Sequence, residues 1–324
     1  PSGTAAGEFK LWDSPSGRTS QPYGIASDPA GIIWYNESAA NRIVRFDPRD
    51  ESLATVTIPT SGSVVRHMEA DSVGRLWLAE SGIDKIGKVE PAPRVAAAGV
   101  VNAAGFSGAQ VAPGEIIAIF GINLAFATAQ APSLPLPREL GGASVTVGGL
   151  AVPLFYVSPG QINAQAPFEL PLGTAALVVK SGAASLEGSA TLAVAATAPG
   201  IFVAADGQTA AALDAPSGRA ITAGNPAAPG ALVTLFASGL GPVDPPAASG
   251  AAAASQEPLH RTTQAVSVTV GGQAAELLFS GLAPGYAGLY QLNVRLPATL
   301  PSGAVSVAIT AGAATSKPAT LHLR

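Results

Sequence analysis

The sequence predicts an all-β chain made of two unlike parts, and two internal repeats and a shift in charge density predict it. Residues 23–48 recur at 66–91. Asp28-Pro-Ala-Gly31-Ile-Ile-Trp34 stands against Asp71-Ser-Val-Gly74-Arg-Leu-Trp77, a period of 43 residues. A Trp-containing strand repeated at this interval has the size of a propeller blade. Further on, Ser144-Val-Thr-Val-Gly-Gly149 returns as Ser267-Val-Thr-Val-Gly-Gly272. Likewise Gln161-Ile-Asn163 with Pro167 returns as Gln291-Leu-Asn293 with Pro297. That interval, about 125 residues, suits a β-sandwich domain. Charge marks the seam: residues 1–90 carry 21 charged side chains, and the 234 residues after them carry 17. The expected fold is therefore all-β, with partial β-propeller-like blades followed by two tandem Ig-like β-sandwich modules.

The elements follow in order. Glu8 to Trp12 reads as the outer strand of a preceding blade. Tyr23 to Ser27 is a strand, Asp28 to Gly31 a turn, and Ile32 to Glu37 a second strand. Arg42 to Phe46 and Leu53 to Ile58 complete the first blade, and the second unit repeats the pattern through Glu90. Asp-x-x-Gly between alternating strands is good hairpin chemistry. Residues 91–99, rich in Pro and Ala, read as a linker. Modules at 100–197 and 198–324 follow. Their short apolar runs are bounded by Gly and Pro turns, and no capped helical period interrupts them.

The first 90 residues resemble the streptogramin (virginiamycin B) lyase-like propeller family. The resemblance rests on Pro22-Tyr-Gly-Ile, Gly31-x-x-Trp34-x-x-Glu37 and Asn41-Arg-Ile43. In the second unit it rests on Arg66-His-Met-Glu69, Gly74-x-x-Trp77-x-x-Glu80 and Asp84-Lys-Ile-Gly87. It implies a metal-assisted elimination site at the centre of a closed ring, with His67 and Glu80 at the matching positions. Two blades do not close a ring, Gly24 stands where the first blade would carry its His, and an acid/base or metal site needs several convergent groups. Packing roles for His67 and Glu80 are the expectation, with a lyase remnant as the alternative.

Residues 100–324 resemble the C-terminal domain family of secreted Solibacter-type acidobacterial proteins. The motifs are Val101-Asn-Ala-Ala, Ala112-Pro-Gly, Tyr156-Val-Ser-Pro-Gly-Gln-Ile-Asn163, Ala198-Pro-Gly-Ile-Phe202, Ser238-Gly-Leu-Gly-Pro-Val-Asp244 and Gly281-Leu-Ala-Pro-Gly-Tyr286. The resemblance implies a surface-presenting or sorting module and no named chemistry. The polar pairs Gln161/Asn163 and Gln291/Asn293 are spaced i, i+2, so each shares one strand face. They form either a ligand-binding row or a structural element that satisfies nearby backbone. Their presence in both repeats favours the structural reading.

Composition narrows the function. Net charge is −4 and no basic run occurs, so nucleic acid is not an expected partner. The longest apolar stretch, 116–127, is interrupted by Gly121 and Asn123 and is too short to span a bilayer as a helix. The chain has no Cys, which excludes disulfides and thiol catalysis. It begins at Pro1, which reads as a product whose signal peptide has been removed. The expectation is a non-catalytic extracellular or cell-surface protein, structural or adhesive. It self-associates into oligomers or filaments through β edges, with copies of itself or other surface proteins as partners. No metal or cofactor is expected. An extracellular ligand- or polysaccharide-binding module is the other alternative.

Overall fold

The computed structural model describes residues 9–29, 31–49, 51–72, 74–108, 110–181 and 186–324. Among these the chain is β throughout, apart from a single 3₁₀ turn at Ser38–Ala40. It divides into two compact units, Pro1–Pro91 and Ala92–Arg324.

The first unit holds two antiparallel meanders. One has four strands in chain order: Pro22–Ser27, Ile33–Glu37, Arg42–Asp47 and Ser52–Thr57. The other has three: Val65–Ala70, Leu76–Glu80 and Lys85–Val89. The same device closes the first hairpin of each. Asp28 accepts from the Ile32 backbone N–H at 3.0 Å through Oδ1 and from the Trp34 indole N–H at 2.9 Å through Oδ2. Asp71 does the same for the Arg75 N–H at 3.0 Å and the Trp77 indole at 3.2 Å. The 43-residue period is thus the period of an Asp turn that grips the Trp of the next strand. The two sheets meet where the Asn36 amide donates to Val65 C=O at 2.7 Å.

The second unit has two cores. In its first half a five-stranded sheet runs Ala129–Gln130, Leu154–Val157, Gln161–Gln165, Ile116–Ile122, Arg94–Asn102. A second sheet runs Glu139–Leu140, Ala143–Val147, Gly173–Ser181, Leu186–Val194, Gln110–Val111. Alternate residues of both, among them Ile117, Ile119, Ile162, Val145, Leu177 and Val179, bury into one cluster. The C-terminal half builds a separate cluster from Val233, Leu235, Leu292, Val294, Val268 and Ile309.

The pairing registers of the two halves correspond. Phe120 faces Gln161 and Ala118 faces Asn163, while Phe236 faces Gln291 and Thr234 faces Asn293. Val145 faces Val179, and Val268 faces Ile309. One difference has a covalent cause. Gln273–Leu282 is a continuous strand whose first half pairs with Val266–Val270 and whose second half pairs with Tyr290–Arg295. In the first half of the unit, Leu150–Ala151 and Leu154–Val157 divide that work on either side of Pro153. Proline has no N–H to give the ladder.

The stretch 91–99 is not a linker throughout. Arg94–Asn102 is a nine-residue strand paired with Ile116–Ile122, with Val95 packed against the core and Val100 buried in it. Composition alone hid this because the run Ala96 to Gly99 at the centre of the strand carries no large apolar side chain.

Candidate functional site

His67 and Glu80 do not converge. His67 lies opposite Ala79 in the sheet, on the exposed face with Trp77. Glu80 follows Ala79 and so turns to the buried face with Leu76 and Leu78. Its Oε2 has no hydrogen-bond partner. The equivalent Glu37 is fully buried. Burial raises its carboxyl, but the hydroxyls of Ser14 and Ser16, the Ser16 N–H and Arg42 outweigh that and hold it below the usual range. Among the described residues no cluster of three His, Cys, Asp or Glu forms a metal-binding group.

The amide rows lie on the sheet faces turned away from the cores, half-buried. Gln161 Nε2 donates to Asn163 Oδ1 at 2.7 Å, and Gln291 Nε2 donates to Asn293 Oδ1 at 3.0 Å. In the second row the Thr234 hydroxyl adds a bond to the same Asn293 oxygen at 3.1 Å. The repeat reproduces the Gln-to-Asn bond as well as the residues.

A buried polar junction, which the sequence reading did not single out as a site, joins the two halves of the second unit. Asn102 donates to Ala198 C=O at 2.8 Å and accepts from the Ala104 N–H at 2.8 Å. The Ser238 hydroxyl oxygen accepts from the Ile116 N–H at 2.7 Å. Gln165 accepts from the Gly250 N–H at 2.7 Å, and Tyr290, fully buried, donates its hydroxyl to Gly241 C=O. The Phe168 ring packs against the C-terminal core. At the centre sits Glu115. Its Oε2 accepts from the Ala112 N–H at 2.6 Å, while its Oε1 has no partner. Burial pushes this carboxyl well above the usual range, against the opposing pull of the Ala112 N–H and the Asn102 amide. Burial, and then the charge of Glu115, push the Tyr290 phenol up. Several motifs that carry the sequence resemblance, Asn102, Ala112-Pro-Gly, Ala198 and the Ser238 run, are therefore the parts that dock one half on the other.

The open surface lies in the first unit. Trp12, its ring tilted 53° against that of Phe46 with centroids 4.8 Å apart, joins Tyr23, Ile25, Tyr35 and Leu53 around a cleft of about 500 Å³. On the second sheet Trp77 and Ile86 stand bare. Of the three Trp that the sequence places before residue 91, Trp12 alone lines the cleft.

No family model and no curated protein matches the sequence. Among solved structures, the chain is similar to the surface glycan-binding protein SGBP-B of the Bacteroides ovatus mixed-linkage glucan utilization locus. The identity is 13%, over 91% of this chain and 53% of that one, with a TM-score of 0.30. It thus spans about half the length of that structure. It is also similar to a streptogramin B lyase, at 16% identity over 62% of this chain and 65% of that one, TM-score 0.22. The virginiamycin B lyase of Staphylococcus aureus shows 16% identity over 59% and 62%, TM-score 0.20. Likeness this slight assigns neither fold nor activity, and the chain's own geometry has to carry the reading.

Proposed function

We propose that the chain is a non-catalytic extracellular surface protein, structural or adhesive. Its blade-like part, 1–90, is the interaction end, and two Ig-like sandwich modules, 100–197 and 198–324, form the scaffold. One observation supports this most. Ten of the fifteen large apolar side chains exposed among the described residues lie between Phe9 and Ile86. Exposed apolar side chains concentrated in this way mark a part of a protein that meets something else. The polar motifs of the second unit, by contrast, bond to one another and to the junction. The amide rows Gln161/Asn163 and Gln291/Asn293 are on this reading structural, and the partners are copies of the chain or other surface proteins. The lyase alternative is disfavoured because His67 and Glu80 occupy opposite sheet faces.

Light scattering on the full chain over a wide concentration range tests the proposal. Mass should rise with concentration, and a strictly monomeric protein at the highest concentration would refute association. A second reading has its own support: Trp12, Tyr23 and Tyr35 with the Ser14 hydroxyl line a cleft of a size that takes a small ligand, and aromatic faces beside a hydroxyl suit sugar rings. Saturable quenching of Trp fluorescence by a soluble glucan, absent in Tyr23→Ala, would favour polysaccharide instead.

A further inference from the structure

The two sheets of the first unit are copies of one another at a spacing of 43 residues, so each bare position has a counterpart whose surroundings are known. Trp34 is 2% exposed and its counterpart Trp77 is 43% exposed; Ile43 is 0% exposed and Ile86 is 80% exposed. Both pairs lie on the face that, in the first sheet, also carries Asn36 and turns toward the second sheet. The opposite faces show the reverse. Ile25 is 68% exposed, while its counterpart Met68 is 3% exposed. The Trp34–Ile43 face is sealed in the first sheet and bare in the second, and on the opposite face Ile25 is bare where Met68 is sealed, although Val44 and Glu37 beside it are buried and Trp12 covers Phe46.

We infer that the Trp77–Ile86 face of one copy packs into the Trp12–Tyr23–Ile25 cleft of another copy, so that copies join head to tail through sheet faces. This rests on the association reading above and gives it a surface. The occupant is a second copy because the contact it would make already exists once inside the chain. The face of the first sheet that holds Trp34 and Ile43 also holds Asn36, which bonds Val65 C=O of the second sheet, and the Trp77–Ile86 face is the counterpart of that sealed face. Charge does not oppose the contact. On the Ile86 face Lys88 pairs with Glu90 and Glu69 stands opposite Trp77, while beside the cleft Glu51 pairs with Lys10, so neither surface carries a run of one sign. The join is heterologous, so it either closes a ring or continues as a filament. Strand-edge pairing is not needed: the contact stacks side chains as neighbouring blades do.

Two variants and their mixture test the inference on the full-length protein. Ile86→Arg charges the bare face at a position already largely in water, and Ile25→Arg charges the cleft in the same way. Both should keep the wild-type far-ultraviolet circular dichroism. By sedimentation velocity each variant alone should be monomeric at concentrations where wild type associates. Mixed in equal amounts, they should form a 1:1 dimer and nothing larger, because one intact face and one intact cleft remain. If wild type associates and both variants associate equally well, the surface is wrong although association stands. If wild type is monomeric throughout, both fall. If the variants lose association and the mixture does not recover a dimer, the join is not head to tail and the inference is overturned.

Discussion

Replacing Glu115 by Gln probes the junction between the two halves of the second unit. The carboxyl is fully buried, has one oxygen bonded to the Ala112 N–H, and leaves the other without a partner. Burial dominates its titration and pushes the folded value well above the ordinary 4.5. The folded protein therefore keeps a proton that the unfolded chain releases. For an acid raised in this way, the contribution to stability is full below about pH 4.5 and is lost as pH rises toward the folded value. Within that window one proton corresponds to a slope of about 1.4 kcal/mol per pH unit. Gln has nearly the same shape and no proton to lose. Glu115→Gln should therefore match wild type near pH 4 and gain on it steadily as pH rises. Urea unfolding of the two full-length proteins, followed by far-ultraviolet circular dichroism at stepped pH, reads the difference. Taking the difference cancels the other titrating groups. A difference that does not change with pH would refute the protonated buried carboxyl. A variant weaker than wild type at neutral pH would show that the junction uses the charge.

Two further perturbations test the local devices. Asp28→Ala removes a buried carboxylate that holds both the Ile32 N–H and the Trp34 indole, and should cost about 2–3 kcal/mol. Asp71→Ala, at a more exposed copy of the same turn, should cost less, and equal losses by thermal unfolding would contradict the sealing of Trp34. Gly114→Ala places a methyl against the Phe168 ring at φ +79°. It should destabilise the second unit by about 2–4 kcal/mol in urea unfolding, combining left-handed strain with displacement of the ring. No loss would mean that Phe168 is not held in its seat.

How much of this was legible beforehand depends on the distance over which each residue acts. The blade period could be read because the Asp turn and its Trp lie six residues apart and fold as one local unit. The shared side of each amide pair could be read from strand geometry, although the bond between the two amides could not. The contrast between Trp34 and Trp77 was invisible, since the two motifs are locally alike and differ only in what packs over them. Arg94–Asn102 hid behind Ala and Gly, and it shows itself as a strand only through Ile116–Ile122, which pairs with it. Glu115 left one faint mark, a carboxylate where the repeat has Ala231 in an otherwise shared Ala-Pro-Gly-x-φ pattern (φ, an apolar residue). Its meaning appears only when Ser238, Asn102 and Tyr290 arrive from elsewhere in the chain.

The asymmetry of that junction limits how far the duplication can propagate. The first copy meets the second through Glu115, Gln165 and Phe168. At the same three positions the second copy has Ala231, Arg295 and Ala298, with Arg295 in a surface ion pair to Glu276 and Ala298 in water. A third copy set down in the same way would find no ring to seat, no amide to bond its loop, and an arginine in place of a buried glutamine. The second copy shares the strand register of its twin and does not offer the socket. The socket is thus present at one face of the first copy and missing from the matching face of the second.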